Sequence, residues 1–229
     1  TKQFANYMKI VTSGKETNIE HLVTGYDWNT VGNKTIVDLG GSSGHASIAL
    51  AEAYPGPNFI VQDLPDTIEK SKPEPGHLPA DIAARISYQH HDFFTTQPLK
   101  DVDAFLLRMI IHDWPDQEAK TIISNLLPGL KKGGKLIIMD TVLPQTGSAP
   151  LLTEARLRVR DLTMMQVHSA KEREIEEWDQ LFKSCDERLR IESVSQPFGS
   201  SLAILEVVMD DEPKMNGDVV EEQVETVPT

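Results

Sequence analysis

The chain has 229 residues, of which 35 are acidic and 22 basic, giving a net charge of −13 at neutral pH with 39% apolar residues. That is enough material for one domain with a sizeable core, and the sign of the charge excludes gathering a nucleic-acid backbone. No apolar run reaches the roughly 18 residues of a membrane span, and the first residues lack the basic and apolar regions of a signal peptide, so a cytoplasmic location is expected. Cys185 is the only cysteine, which excludes an internal disulfide and a cysteine-based zinc site.

Residues 1–34 read as a helical lead-in: Phe4, Met8 and Val11 fall on a helix-like stripe, and Gly25-Tyr26-Asp27-Trp28 reads as a loop. From Thr35 the pattern becomes regular. Ile36 to Leu39 is a buried strand, Gly40-Gly41-Ser42-Ser43-Gly44 a tight turn, and His45 to Tyr54 an Ala-rich helix stopped by Pro55-Gly56-Pro57. A second strand spans Phe59 to Leu64, a Pro-rich loop Ser71 to Pro79, a third strand surrounds Ile86 to Tyr88, and a fourth spans Ala104 to Ile110. Asp116 to Leu130 carries a helical stripe ending at Lys131-Lys132-Gly133-Gly134, where Gly suits a C-terminal cap, and Lys135 to Asp140 is the fifth strand. Helices over Glu154 to Val167 and Glu174 to Lys183 follow, then strands Ile191 to Ser195 and Leu202 to Met209. The spacing predicts an α/β fold, a doubly wound, mainly parallel sheet with an antiparallel closing strand, over residues 35–210. Seven of the last twenty residues are acidic and one is basic, so residues 211–229 are expected to be a disordered acidic tail.

Ligands of an open parallel sheet gather beyond the carboxyl ends of its strands, here Gly40, Asp63, Asp92 and Arg108. A Gly-rich turn lets a ligand approach the backbone, and Asp63 can accept hydrogen bonds from two ribose hydroxyls, which points to an adenosine-containing cofactor. Ser42 breaks the G-x-G-x-x-G spacing, so a nicotinamide dehydrogenase is disfavoured. The acidic D-x-G-x-x-x-G pattern from Asp38 to Gly44 suits a cationic or zwitterionic cofactor such as S-adenosylmethionine. A plain tight turn is the alternative.

Val37-Asp38-Leu39-Gly40-Gly41-Ser42-Ser43-Gly44-His45, Gln62-Asp63-Leu64-Pro65, His91-Asp92-Phe93-Phe94, Arg108-Met109-Ile110-Ile111-His112-Asp113-Trp114 and Lys171-Glu172-Arg173 occur in that order. Together they resemble the S-adenosylmethionine-dependent O-methyltransferases of the caffeic-acid and fungal sterigmatocystin type, over roughly Phe4 to Met209. The resemblance implies a Rossmann-like class I methyltransferase fold, with Gly40, Asp63, Leu64, Asp92, Phe93 and Arg108 binding the donor. It implies His112 as catalytic base, flanked by Asp140 and Glu172, and a small aromatic or polyketide-like acceptor. Asp140 stands where the plant enzymes carry Glu, one methylene longer. The family's N-terminal helical dimerisation region has no counterpart here, so a homodimer is expected only of a longer chain.

Methyl transfer from a sulfonium needs acceptor oxygen, methyl carbon and sulfur in line with water kept away, and a phenol is a poor nucleophile until its proton leaves. Histidine, with an unperturbed pKa near 6.5, can take that proton, and a carboxylate on its other nitrogen fixes the tautomer. No metal is expected: His90 and His91 are adjacent on a strand and point to opposite faces. Asp113 reads as a cap of the helix opening at Trp114-Pro115-Asp116, Glu172 alone as part of a solvated helix start, and Cys185 as a small apolar residue. Met164, Met165 and Trp114 suit either an aromatic pocket or ordinary core. Two other functions stay open: a related fold that uses the donor's charge to steer an isomerisation or pericyclic reaction, and a non-catalytic interaction module.

Overall fold

The computed structural model describes residues 14–211. The stripe through Phe4, Met8 and Val11 and nearly all of the acidic tail lie outside them. Seven strands form one sheet: β1 (Thr35–Leu39), β2 (Asn58–Asp63), β3 (Ile86–His90), β4 (Val102–Arg108), β5 (Leu130–Asp140), β8 (Leu189–Ser195) and β9 (Ala203–Met209). Their order is β3-β2-β1-β4-β5-β9-β8. The first five are parallel neighbours, and β9 runs antiparallel between β5 and β8.

Side chains alternate across β1. Val37 and Leu39 enter one core with Phe105, Leu107, Ile122, Ile123, Trp178 and Phe182. Ile36 enters the other with Leu22, Trp28, Leu50, Leu106 and Ile137. The first core is roofed by α5 (Asp116–Leu126) and α7 (Ile175–Cys185), the second by α1 (Glu20–Thr24) and α2 (His45–Ala53). Helices on both faces explain why the central strands are apolar runs and not alternating ones. Cys185 is half-buried in α7.

Several boundaries depart from the sequence reading for local reasons. Helix α5 stops at Leu126 because Pro128 follows, and the turn 127–129 leads directly into β5. Lys131 to Gly134 therefore lie within the strand, at an irregularity of pairing with β4, and not in a helix cap. The Pro-rich loop is bracketed by two short helices, α3 (Pro65–Ser71) and α4 (Ala80–Ala83). Strand β4 ends at Arg108; Met109 adopts φ +56°, and Ile111–Asp113 form a 3-10 turn. A two-residue parallel pair, β6 (Val142–Leu143) with β7 (Arg173–Glu174), ties the chain after β5 to the start of α7. Helix α6 (Leu151–His168) crosses the carboxyl edge of the sheet with only Met164 buried. Leu151, Leu152, Val159, Leu162, Met165 and Val167 face outward. No helix among the described residues is long and apolar enough to cross a membrane.

Candidate active site

Sheet order reverses between β1 and β4, and the crevice at that switch point opens beyond the strands' carboxyl ends. Gly40 there has φ +68°, and a Cβ on it would lie 2.6 Å from Ile110 Cδ1. The Gly40 N–H donates to the Gln62 carbonyl at 2.8 Å, which draws the loop against β2. Gly40→Ala should lower stability by about 1–2 kcal/mol through the left-handed backbone alone; thermal melting checks this.

Asp63 ends β2 with both carboxylate oxygens engaged from below. Oδ2 accepts the Ser42 N–H at 3.0 Å and Oδ1 the Leu64 N–H at 2.7 Å. Each oxygen keeps a further lone pair for a ligand. Asp92, exposed beyond β3, accepts the Phe94 N–H on Oδ1 at 2.9 Å. Phe93 packs edge-on against Phe94 and Trp114. Asp38 is buried under the glycines, accepts the Ser47 hydroxyl at 2.7 Å, and is pushed by burial up to about 6. Arg108 reaches across the crevice to the Thr17 carbonyl and lies 3.3 Å from His45 Nε2. It thus anchors the lead-in to the head of α2.

The second half of the crevice is built around His112, which is 2% exposed. Its Nδ1 lies 3.1 Å from Glu172 Oε1, which also accepts Arg160 Nε–H at 2.7 Å. Its Nε2 lies 3.5 Å from Asp113 Oδ1 and 3.9 Å from Asp140 Oδ1. Asp140 does not hydrogen-bond the ring. Its Oδ2 instead accepts the Ile111 and His112 N–H groups at 3.1 and 3.4 Å, pinning the 3-10 turn that presents the imidazole. Arg173 grips the same turn from outside, donating to the Ile111 and Trp114 carbonyls at 3.4 and 3.0 Å with its guanidinium over the Trp178 ring. His112 opens on a cavity of about 270 Å³ lined by Met109, Asp113, Arg160, Met164 and His168. A larger cleft of about 590 Å³ lies elsewhere, among Leu143, Leu157, Val194 and Phe198. Its one carboxylate among the described residues, Glu16, is paired with Arg156 at the surface, whereas the smaller cavity holds the buried His112.

Burial alone would strip the proton from His112, but Asp140, the Glu172 hydrogen bond and charge, and Asp113 outweigh it and raise its pKa to about 9. Burial pushes Asp140 up to about 6, with the His112 charge opposing it. For Glu172 burial again favours the neutral acid, but His112 and Arg160 hold it below the usual carboxylate range.

Compared with known proteins, residues 1–186 match a family model described as an O-methyltransferase domain. The chain belongs to that family. This O-methyltransferase domain is 52% identical over 210 residues to the O-methyltransferase VdtC of Byssochlamys spectabilis, covering 91% of this chain and 48% of that protein. It is 45% identical over 212 residues to the O-methyltransferase fsr2 of Gibberella fujikuroi, covering 92% and 55%. The chain thus spans about half the length of these relatives. Among solved structures, LepI in complex with SAM is similar with a TM-score of 0.70 and 25% identity, over 91% of this chain and 52% of that one. The mitomycin 7-O-methyltransferase MmcR shares the fold, with a TM-score of 0.75 at 22% identity over 91% and 57%. The family uses S-adenosylmethionine, and the residues of this domain fit it. Asp63 keeps its outward lone pairs, Gly40 leaves no room for a Cβ, and Phe93 and Asp92 offer an apolar face beside a carboxylate.

The structure brings His112, Asp140 and Glu172 of this methyltransferase domain into one cluster, and sets Gly40, Asp63, Leu64, Asp92, Phe93 and Arg108 around the adjoining crevice. Asp113 departs from its reading as a cap: Pro115 precedes α5, no side chain caps that helix, and Asp113 turns instead to His112. Sequence reasoning missed Arg160 and quoted Arg173 only within the Lys171-Glu172-Arg173 motif, without a role. Arg160 lies one helical turn before Met164, which is the only signal that would have put both on the cavity face. Of the histidine pair, His90 is exposed beside Glu69 and His91 is buried. Asp140→Asn should lower the His112 pKa by about 1–3 units by removing an opposite charge, a shift read directly by NMR titration of the imidazole.

Proposed function

We propose that this chain transfers the methyl group of S-adenosylmethionine to a phenolic or enolic hydroxyl of a small secondary metabolite, with His112 as the proton-accepting group. One observation carries the reading: a buried imidazole is oriented through Nδ1 by Glu172, its Nε2 has no hydrogen-bond partner, and the residue lines a cavity next to the crevice edged by Asp63 and Asp92. S-adenosylmethionine, when bound, supplies an electrophilic methyl group on a sulfonium. The chain's own residues do the rest. Asp63 and Asp92 are placed to hold the ribose and adenine, Phe93 to cover the base, and Asp140 and Arg173 to keep the His112 turn rigid. Met109 and Met164 give the acceptor an adaptable apolar seat that excludes water. The relatives' names as O-methyltransferases support the same reaction.

A donor-binding isomerase is the second reading, favoured by the likeness to a solved structure described as a pericyclic reaction enzyme, with a TM-score of 0.71 at 25% identity. The full set of His112, Asp140 and Glu172 supports methyl transfer over it. Homodimerisation is part of the proposal only for a longer chain, and the outward apolar side chains of α6 offer it a surface. Incubation with methyl-labelled donor and a mixture of phenols tests the reading. Labelled product is expected; donor bound without product would favour the isomerase, and absence of donor binding would defeat both.

A further inference from the structure

The two cavities of this edge share one helix face and one wall. From α6, Arg160, Thr163 and Met164 line the smaller cavity at His112, Thr153 and Leu157 line the larger cleft, and Arg156 lines both. These positions recur at spacings of three and four residues and therefore fall on one side of the helix. Thr153 stands about 16 Å along the axis from Met164. The sheet joins the same two places. Ala203, on the wall of the larger cleft, is the register partner of Asp140, and Val142 and Leu143, on the same wall, follow Asp140 after one residue. The cavities are thus two reaches of one trough.

A surface ion pair divides that trough. Arg156 Nη1 lies 3.3 Å from Glu16 Oε1, with side chains 75% and 58% exposed, a contact that water weakens strongly. Glu16 is anchored through its backbone, whose carbonyl accepts the Ser201 N–H at 2.8 Å, so its carboxylate can swing while the lead-in stays in place. The arginine stem can lie along an apolar wall with its head in water. Among the described residues these two are the only charged side chains lining the larger cleft. The wall is otherwise mostly apolar, with Leu143, Leu157, Val194 and Phe198, the last fully exposed.

Sites for small organic ligands usually enclose about 300–1,000 Å³. The His112 cavity, at about 270 Å³, falls short of that range, whereas the cleft, at about 590 Å³, lies within it. Resting on the assignment of His112 to the acceptor side, we propose that the larger cleft is a second acceptor subsite. It takes an uncharged, apolar extension of the acceptor, an alkyl chain or a further ring, while the reacting hydroxyl lies at His112. Glu16 and Arg156 form the movable partition between the two. Continuity selects this occupant: the cleft meets the reacting cavity across one side chain, and a covalent link to the seated ring delivers the extension at high effective concentration.

The test titrates a series of 4-alkylphenols, from 4-ethylphenol to 4-hexylphenol, onto the chain saturated with S-adenosylhomocysteine, read by calorimetry. A methylene that leaves water tightens binding by up to about fourfold, so affinity should rise at least about tenfold over the series. Leu157→Gln, which puts an amide in the cleft, should cut the hexyl-to-ethyl affinity ratio at least about fivefold, a ratio that a general weakening of the fold leaves unchanged. Glu16→Gln, which unties Arg156 without altering an apolar wall, should raise that ratio about twofold. A flat series, no binding of any member up to its solubility, or a parental ratio in Leu157→Gln would each overturn the subsite. A lower ratio in Glu16→Gln would overturn the partition. Calorimetry on S-adenosylhomocysteine alone keeps the two readings apart: loss of that binding defeats the methyl-transfer assignment, whereas intact binding with a flat series defeats only the subsite.

Discussion

His112→Gln should lower turnover by about 10²–10⁴-fold while leaving donor affinity nearly unchanged, because the side chain faces the acceptor cavity and touches none of the groups that edge the donor crevice. The pH profile makes the test sharper. The reacting complex holds one proton between His112 and the acceptor oxygen, so its population falls below the lower and above the higher of their two pKa values. With His112 raised to about 9, the neutral imidazole that takes the proton is the minor form at pH 7, so kcat/KM for a phenol should climb with pH to an inflection near 9. That inflection belongs to His112 and should vanish in the Gln variant. A variant that keeps both the parent rate and that inflection would remove His112 from the chemistry. An inflection near 6.5 in the parent would show that the carboxylates do not act on the ring as their distances require.

Asp63→Ala should weaken S-adenosylhomocysteine binding by at least about tenfold, since a charged acceptor of two hydroxyls is worth about 1.5–3 kcal/mol. The geometry adds a less obvious expectation for Asp63→Asn. Both carboxylate oxygens already receive backbone N–H groups, from Ser42 and Leu64. An amide has one oxygen, so whichever way it turns, its NH₂ meets an N–H, and the Gly-rich loop loses a tether along with the ligand. Asn should therefore be nearly as damaging as Ala, although it preserves size and polarity. Calorimetry with a melting control decides this. Near-parental affinity for Asn would mean that the loop is held by the Gln62 carbonyl alone.

The parts of the molecule most legible in the sequence are those where a single local rule dominates. Ile36 to Leu39 and Leu136 to Asp140 are central parallel strands because continuous apolar runs have nowhere else to go. The end of α5 was obscured because Gly133-Gly134 imitates a cap, while Pro128, five residues earlier, already forbids the helix. Strands β6 and β7 have two residues each and so no period to detect, yet their pairing brings Glu172 to His112. That is why Glu172 was readable only through a family resemblance and by itself looked like solvated charge. The shorter reach of Asp140 resolves into a different task. At 3.9 Å from Nε2 it acts on the ring through charge and on the turn through hydrogen bonds.

Helix α6 holds one buried residue, Met164, yet contributes Arg156, Arg160, Thr163 and His168 to the cavity beside His112 proposed for the acceptor. The donor crevice, by contrast, is made of strand ends locked into two dense cores. The molecule therefore separates the part it cannot alter from the part it can. Substitutions along α6 reshape the acceptor seat without opening a void in either core, so they draw little on folding stability. Selection for a new aromatic acceptor can proceed on that helix while the donor machinery is inherited unchanged.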